Sequence, residues 1–126
     1  METKTREEAV LTAGELKMMV DAGEPVQVID VRSPREFEEG HVPGAVNLPM
    51  EQVEARLADL RNHEPVVLVC QSGRRAQMCQ PILANHPEEV KVSEGGTSAW
   101  VDRGFPVVRT VASRLPLMRQ VQIAAG

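Results

Sequence analysis

Short apolar runs, separated by longer amphipathic segments, dominate the pattern of this chain. Three runs are rich in β-branched residues and too short for helices, so each predicts a buried strand: residues 26–29, 66–69 and 90–92. A further short strand is expected inside the turn-rich link at residues 39–49. Residues 1–11 are a charged lead-in that ends in Ala-Val-Leu.

Capping residues and apolar spacing predict helices between these strands. Capping boxes at residues 12–15 and 33–36 start two helices, the second of one turn. Apolar residues three and four apart predict an amphipathic helix over residues 49–60. Another helix is predicted over residues 76–84 and is expected to kink or break at Pro81. A last short helix carries Trp100, with Thr97 or Ser98 as its cap. This alternation predicts an α/β sandwich with a mostly parallel sheet.

Composition and charge then narrow the functional classes. The chain has 126 residues, enough for one domain, and a net charge of −4 with few aromatic residues. Neither property suits nucleic-acid binding, so no nucleic-acid partner is expected. Two cysteines are too few for a disulfide framework and indicate a reducing, cytoplasmic location. No signal peptide and no apolar run long enough to span a bilayer is visible.

Cys70 stands directly after the apolar run at residues 66–69 and shortly before the next helix. Free N–H groups and the helix dipole at such a position favour the thiolate, the reactive form of cysteine. Gly73 can adopt a positive φ, which lets successive N–H groups curve around an anion. A structural cysteine at a strand end is the alternative, and the glycine and two arginines argue against it. The stretch predicts an anion-binding loop around a catalytic Cys70: Gln71, Ser72, Gly73, Arg74, Arg75 and Ala76.

Asp30 and Arg32 lie at the carboxyl end of another predicted strand, where α/β folds place their sites. Two interpretations stay open for them. They form an ion pair that holds the loop, or they have a direct functional role. No spacing of histidines and cysteines matches a zinc site, so no metal is expected. Cys79, nine residues after Cys70, is expected to be a small core residue.

Four stretches, taken together in their order, resemble the single-domain rhodaneses, a family of sulfurtransferases. Cys70 and Arg75 form a Cys-x4-Arg loop, one residue shorter than the Cys-x5-Arg loop of cysteine phosphatases. Val42 replaces the isoleucine that is usual in the family. The stretches are residues 28–32 with 36–37, residues 40–45 with 47, residues 70–76, and residues 95–96 with 100 and 104–106.

The resemblance covers roughly residues 11–109 and implies both a fold and a reaction. The implied fold is a three-layer α/β sandwich with a five-stranded, mostly parallel sheet and helices on both faces, assigned to residues 1–110. In the implied reaction, Cys70 takes a sulfane sulfur from thiosulfate or a related persulfide donor, carries it as a persulfide, and passes it to cyanide or a thiol acceptor. The expected partners are therefore a small sulfur-donor anion and a thiol acceptor. Backbone N–H groups of the loop would hold the persulfide and the transferring anion. Arg75 would stabilise the loop or the leaving sulfite, and Arg74 would raise the local positive potential. No cofactor is needed.

The last segment, residues 111–126, lies outside this pattern. Arginines there precede rising hydrophobicity, and the segment resembles the junction that joins some bacterial rhodanese domains to a small two-helix membrane domain. Two interpretations are open: membrane attachment at the cytoplasmic face of the inner membrane in a longer protein, or a short amphipathic helix that packs on its own domain.

Two other functions remain open at this point. One is a cysteine phosphatase or arsenate reductase of the same fold, although the short loop suits one sulfur atom better than a tetrahedral oxyanion. The other is a non-catalytic regulatory module.

Overall fold

The computed structural model describes residues 9–109, which contain a five-stranded parallel sheet. In chain order the strands are β1 (Val10–Leu11), β2 (Gln27–Asp30), β3 (Val46–Asn47), β4 (Val66–Val69) and β5 (Val90–Ser93). Their order in the sheet is β1-β5-β4-β2-β3, and every neighbouring pair is parallel. The expected five-stranded α/β sheet is therefore confirmed. β1 is a strand that the sequence pattern did not reveal, because two residues show no periodicity.

Residues 9–109 contain four α-helices, and the predicted capping boxes start two of them. The helices are α1 (Ala13–Ala22), α2 (Pro34–Glu39), α3 (Arg74–Cys79) and α4 (Gly96–Asp102). Thr12 and Ser33 each accept a hydrogen bond from the backbone three residues on, and the glutamate there reaches back to the cap. Helix α3 gives way to a 3-10 helix at Gln80–Leu83, so the predicted break at Pro81 is confirmed.

The prediction of an α-helix over residues 49–60 is wrong. The segment forms two short 3-10 helices, Met50–Gln52 and Glu54–Asp59, and Arg56 within the second has non-helical φ and ψ of −119° and 24°. Of the expected apolar face, Val53 is 1% exposed but Leu57 is 37% exposed. Met50, Val53 and Leu60 still pack in or against the core, but the chain leaves helical geometry at Arg56, so tighter, locally bonded 3-10 turns replace the α-helix.

The sheet separates two apolar cores, which gives the expected three layers. Alternate residues of β4 point to opposite faces. Val66 and Leu68 belong to the core that includes Ala76 and Cys79 of α3. Val67 and Val69 belong to the other core, with Leu16 of α1 and Trp100 of α4. Helices thus cover both faces and leave the carboxyl edge of the parallel sheet to the loops.

No helix within residues 9–109 is both long and apolar enough to cross a membrane. The tail at residues 111–126 lies outside the described residues, so its two interpretations and the domain boundary at residue 110 stay predictions.

Candidate active site

The sulfur of Cys70 is surrounded by backbone donors at the carboxyl end of β4. The residue is 1% exposed. Its Sγ accepts hydrogen bonds from the N–H groups of Gly73, at 3.0 Å, and Ala76, at 3.4 Å. Gly73 adopts a φ of +104°, a conformation that residues with a Cβ rarely take. Donors aimed at sulfur stabilise negative charge on it.

Further N–H groups of the loop are available to an anion. Within residues 9–109, those of Ser72, Arg74 and Arg75 have no hydrogen-bond acceptor. Arg74 and Arg75 begin α3, where the first N–H groups of any helix lack intrahelical partners. The predicted loop therefore combines two donors to Sγ with three unsatisfied ones.

The first residues of α4 hold the cysteine loop through backbone hydrogen bonds. The N–H of Thr97 donates to the Cys70 carbonyl at 2.8 Å, and that of Ser98 donates to the Gln71 carbonyl at 3.0 Å. Helix α4 is capped by Gly95, in the left-handed conformation, so the expectation of a Thr97 or Ser98 side-chain cap is wrong. Gly96 is required because a Cβ there would lie 2.1 Å from the Cys70 carbonyl oxygen.

Arg75 joins the cysteine loop to α2 by a bidentate ion pair. Its Nη1 and Nη2 atoms donate to the two carboxylate oxygens of Glu36 at 2.9 and 3.0 Å. The hydrogen bond from Arg75 is the largest cause that lowers the pKa of Glu36 from 4.5 to about 2. The same hydrogen bond raises the pKa of Arg75. Of the two roles expected for Arg75, this contact favours stabilisation of the loop over contact with leaving sulfite.

Asp30 and Arg32 form a buried ion pair beside the same loop. Arg32 Nη2 donates to Asp30 Oδ2 at 2.9 Å and to the Gly40 carbonyl at 2.7 Å. Arg32 Nη1 donates to Gln71 Oε1 at 3.2 Å, and Gln71 Nε2 donates to Ser98 Oγ at 2.8 Å. The structure therefore shows the ion pair, and it links β2 through Gln71 to α4.

The remaining residues of the loop face solvent. The side chains of Gln71, Ser72 and Arg74 are exposed, and Arg74 makes no hydrogen bond or ion pair with any described residue. Cys79 is fully buried, as expected for a core residue. Burial, with a smaller contribution from Cys70, raises the pKa of its thiol, which keeps it protonated and unreactive.

A large cavity among the described residues lies away from Cys70. It measures about 520 Å³ and is lined by residues that include Ala9, Gln80 and Val90. Val90 begins β5, so this cavity is at the amino edge of the sheet, opposite Cys70. Cys70 does not line this cavity.

Two contacts of the site were missed by sequence reasoning. Glu36 had a visible local role in the capping box of α2, but nothing in the sequence connects it to Arg75, 39 residues away. Ser98 lies 27 residues from Gln71, and no motif indicates their hydrogen bond. Only the packing of α2 and α4 against the loop brings these side chains together.

Comparison with known proteins gives relatives named as sulfurtransferases. A sulfurtransferase of Allochromatium vinosum is 34% identical over 86 residues, which are 68% of this chain and 80% of the relative. The thiosulfate sulfurtransferase GlpE of Shewanella oneidensis is 32% identical over 91 residues, 71% of this chain and 89% of the relative. Other curated relatives are longer. The matches cover 34% of YrkF and 60% of YqhL, both of Bacillus subtilis.

A structural neighbour and a family model point the same way. The crystal structure of a rhodanese-like domain protein from Staphylococcus aureus superposes with a TM-score of 0.66 and 31% sequence identity. The superposed region is 72% of this chain and 89% of the Staphylococcus chain. The family model described as "Rhodanese-like domain" matches residues 12–103. That match ends before residue 111, so it lends no support to the expected membrane-domain junction. Sequence pattern and fold therefore agree that this chain belongs to the rhodanese-like domain family.

Proposed function

We propose that this protein is a sulfurtransferase that carries a sulfane sulfur on Cys70. The main support for the proposal is a pair of hydrogen bonds to Cys70 Sγ. The backbone nitrogens of Gly73 and Ala76 donate them, at 3.0 and 3.4 Å. Donors in these positions stabilise a thiolate before reaction and a persulfide anion after it. Relatives named as sulfurtransferases, including one named for thiosulfate, support the same reaction class.

The reaction has two displacement steps. The Cys70 thiolate attacks the outer sulfur of thiosulfate, the bond between the two sulfur atoms of the donor breaks, and sulfite leaves with the electron pair. Cys70 then carries a persulfide. In the second step an acceptor thiolate or cyanide attacks the outer sulfur, the persulfide S–S bond breaks, and the Cys70 thiolate is restored. No external oxidant or reductant is consumed.

In this proposal each neighbouring residue has a part. The free N–H groups of Ser72, Arg74 and Arg75 would bind the charged outer sulfur. Asp30, Arg32 and Gln71 would keep the loop in place, since their hydrogen bonds run from β2 to α4. A free thiol of this kind requires a reducing compartment, and we place the activity in the cytoplasm.

The intact mass of the reduced protein after incubation with thiosulfate tests the proposal. We expect wild type and Cys79→Ala to gain one sulfur that cyanide discharges, and Cys70→Ser to gain none. Cys79→Ala is the matched control because it removes the other thiol of the chain. A wild type that gains no sulfur, or a Cys70→Ser variant that gains as much, contradicts the proposal. Hydrolysis of an aryl phosphate by the same preparation would then favour a phosphatase.

A further inference from the structure

Cys70 is almost closed to solvent, although the proposed reaction brings two different reagents to its sulfur. The residue is 1% exposed. A displacement at sulfur requires the incoming atom to touch Sγ along the direction of the bond that breaks. The donor comes first, and the acceptor, which can be a thiol on a larger molecule, comes second. A reagent of any width therefore reaches Sγ only after a neighbouring group moves.

The elements around the cysteine loop differ in how deeply they are packed. Every residue of β4 is buried. Helix α3 buries Ala76 and Cys79, and α4 buries Gly96, Thr97 and Trp100. Helix α2 buries none of its six residues. Segments with few buried contacts open at a lower free energy than core segments. Of these elements, α2 is therefore the one that is displaced most easily.

Helix α2 is attached to the cysteine loop by the ion pair of Glu36 and Arg75. The two hydrogen bonds of this pair measure 2.9 and 3.0 Å. Both side chains are half-buried, so water competes for them when they separate. Arg75 adjoins Ala76, whose N–H lies 3.4 Å from Sγ. The ring of Phe37 stacks on His41 and belongs to neither apolar core. Separation of the ion pair therefore frees α2 from the loop without opening a core.

The chain just after α2 is held in place, so this helix has a fixed base. The carbonyl of Gly40 accepts a hydrogen bond from Arg32 Nη2 at 2.7 Å. His41 exchanges two backbone hydrogen bonds with Val108, at 3.0 and 2.9 Å. A helix that is anchored at one end and joined to the loop by an exposed polar contact can swing as a unit.

We infer that α2 is a lid over Cys70, that the Glu36–Arg75 ion pair is its latch, and that the lid selects reagents by their width. The inference rests on the proposed function and assigns a specificity-determining element to it. Wide reagents, such as a persulfide or thiol carried by a peptide, reach Sγ only when the latch is open. Their rate is therefore proportional to the open fraction, whereas narrow reagents need a smaller displacement.

Alkylation of Cys70 by two neutral reagents tests the lid without any sulfur transfer. The rate constants with iodoacetamide, which is narrow, and N-benzylmaleimide, which is wide, are measured for each variant. Peptide mass separates modified Cys70 from modified Cys79. The variant Glu36→Gln/Arg75→Gln removes the latch and keeps the net charge. We expect it to raise the wide-to-narrow rate ratio about three- to tenfold, because a larger fraction of molecules is open.

A second ion pair provides the matched control. Arg56 and Asp59 form an exposed pair in a 3-10 helix, and neither contacts the cysteine loop. The variant Arg56→Gln/Asp59→Asn should leave the ratio within about twofold of wild type. About 1 M salt, which screens the latch, should raise the ratio of wild type but not that of Glu36→Gln/Arg75→Gln. An unchanged ratio in the latch variant, or an equal rise in the control variant, overturns the inference.

Amide hydrogen exchange distinguishes motion of α2 from a general loss of stability. Loss of the latch should speed exchange in the peptide that contains α2 about three- to tenfold, and should leave the peptide that contains α4 within about twofold of wild type. An equal rise in both peptides would show that the ion pair stabilises the whole domain, which would refute the assignment of a lid.

Two sulfur donors of different width complete the test. Glutathione persulfide is wide, and when Cys70 attacks its outer sulfur, the glutathione thiolate leaves with the electron pair. Thiosulfate is narrow. Loss of the latch should raise the ratio of the loading rates with the wide and narrow donors about three- to tenfold. A wild type that takes sulfur from neither donor, while the alkylation ratio and the exchange of α2 still change as expected, refutes the proposed function and leaves the lid standing.

Discussion

Replacement of Glu36 by glutamine should destabilise the protein at neutral pH and have little effect in acid. The carboxylate accepts hydrogen bonds from Arg75 and from the Ser33 backbone. Glutamine keeps an oxygen for the α2 cap but removes the charge that binds Arg75. A protonated glutamic acid is likewise neutral, so wild type and Glu36→Gln become alike once Glu36 is protonated.

The magnitude follows from the pKa of Glu36, which Arg75 lowers from 4.5 to about 2. At about 1.4 kcal/mol per pH unit, an unscreened depression of this size corresponds to about 3 kcal/mol. About a third of each side chain faces solvent, 34% for both partners, so screening reduces this to about 1–2 kcal/mol. Because the folded pKa lies below the unfolded one, the stabilisation is fully present above pH 4.5 and is lost as the pH falls toward 2.

Urea unfolding followed by the fluorescence of Trp100, the single tryptophan and 1% exposed, measures this difference. We expect Glu36→Gln to have a free energy of unfolding about 1–2 kcal/mol below wild type at pH 7, and this difference to fall to about half or less near pH 3. Glu39→Gln, at an exposed carboxylate of the same helix, should stay within about 0.5 kcal/mol of wild type throughout. A difference that persists unchanged from pH 7 to pH 3 would refute the reasoning.

Two further substitutions test the support of the loop. Gly96→Ala places a Cβ 2.1 Å from the Cys70 carbonyl, and should lower the free energy of unfolding by about 3 kcal/mol and the rate of sulfur loading more than tenfold. Gly23→Ala is the control, because Gly23 has a φ of +67° but no atom within 4 Å of the added Cβ. It measures the cost of the backbone conformation alone, and its free energy of unfolding should fall by only about 1 kcal/mol. Asp30→Asn leaves the buried charge of Arg32 without its carboxylate, and urea unfolding should show a loss of about 3 kcal/mol; a loss under 1 kcal/mol would contradict this account of the pair.

Local patterns in the sequence were enough for much of this fold. β-Branched runs correctly predicted β2, β4 and β5, since four-residue segments without helical periodicity suit buried parallel strands. The capping boxes of α1 and α2 and the break at Pro81 were also predicted, because each depends on residues within four positions of one another. The placement of Cys70 before Gly73 and α3 could be predicted for the same reason: strand end, glycine and helix start are neighbours in the chain.

Tertiary packing decided the features that span longer distances. Residues 49–60 have helical spacing, but they bury Val53 and Leu60 through two 3-10 helices, with Leu57 left partly exposed. β1 exists because two residues pair with Val92 and Ser93 of β5, about eighty positions away. The division between Arg74 and Arg75 is of this kind as well. Adjacent arginines look equivalent in sequence, and only the approach of α2 places Glu36 against one of them, since an ion pair depends on separation in space and not along the chain.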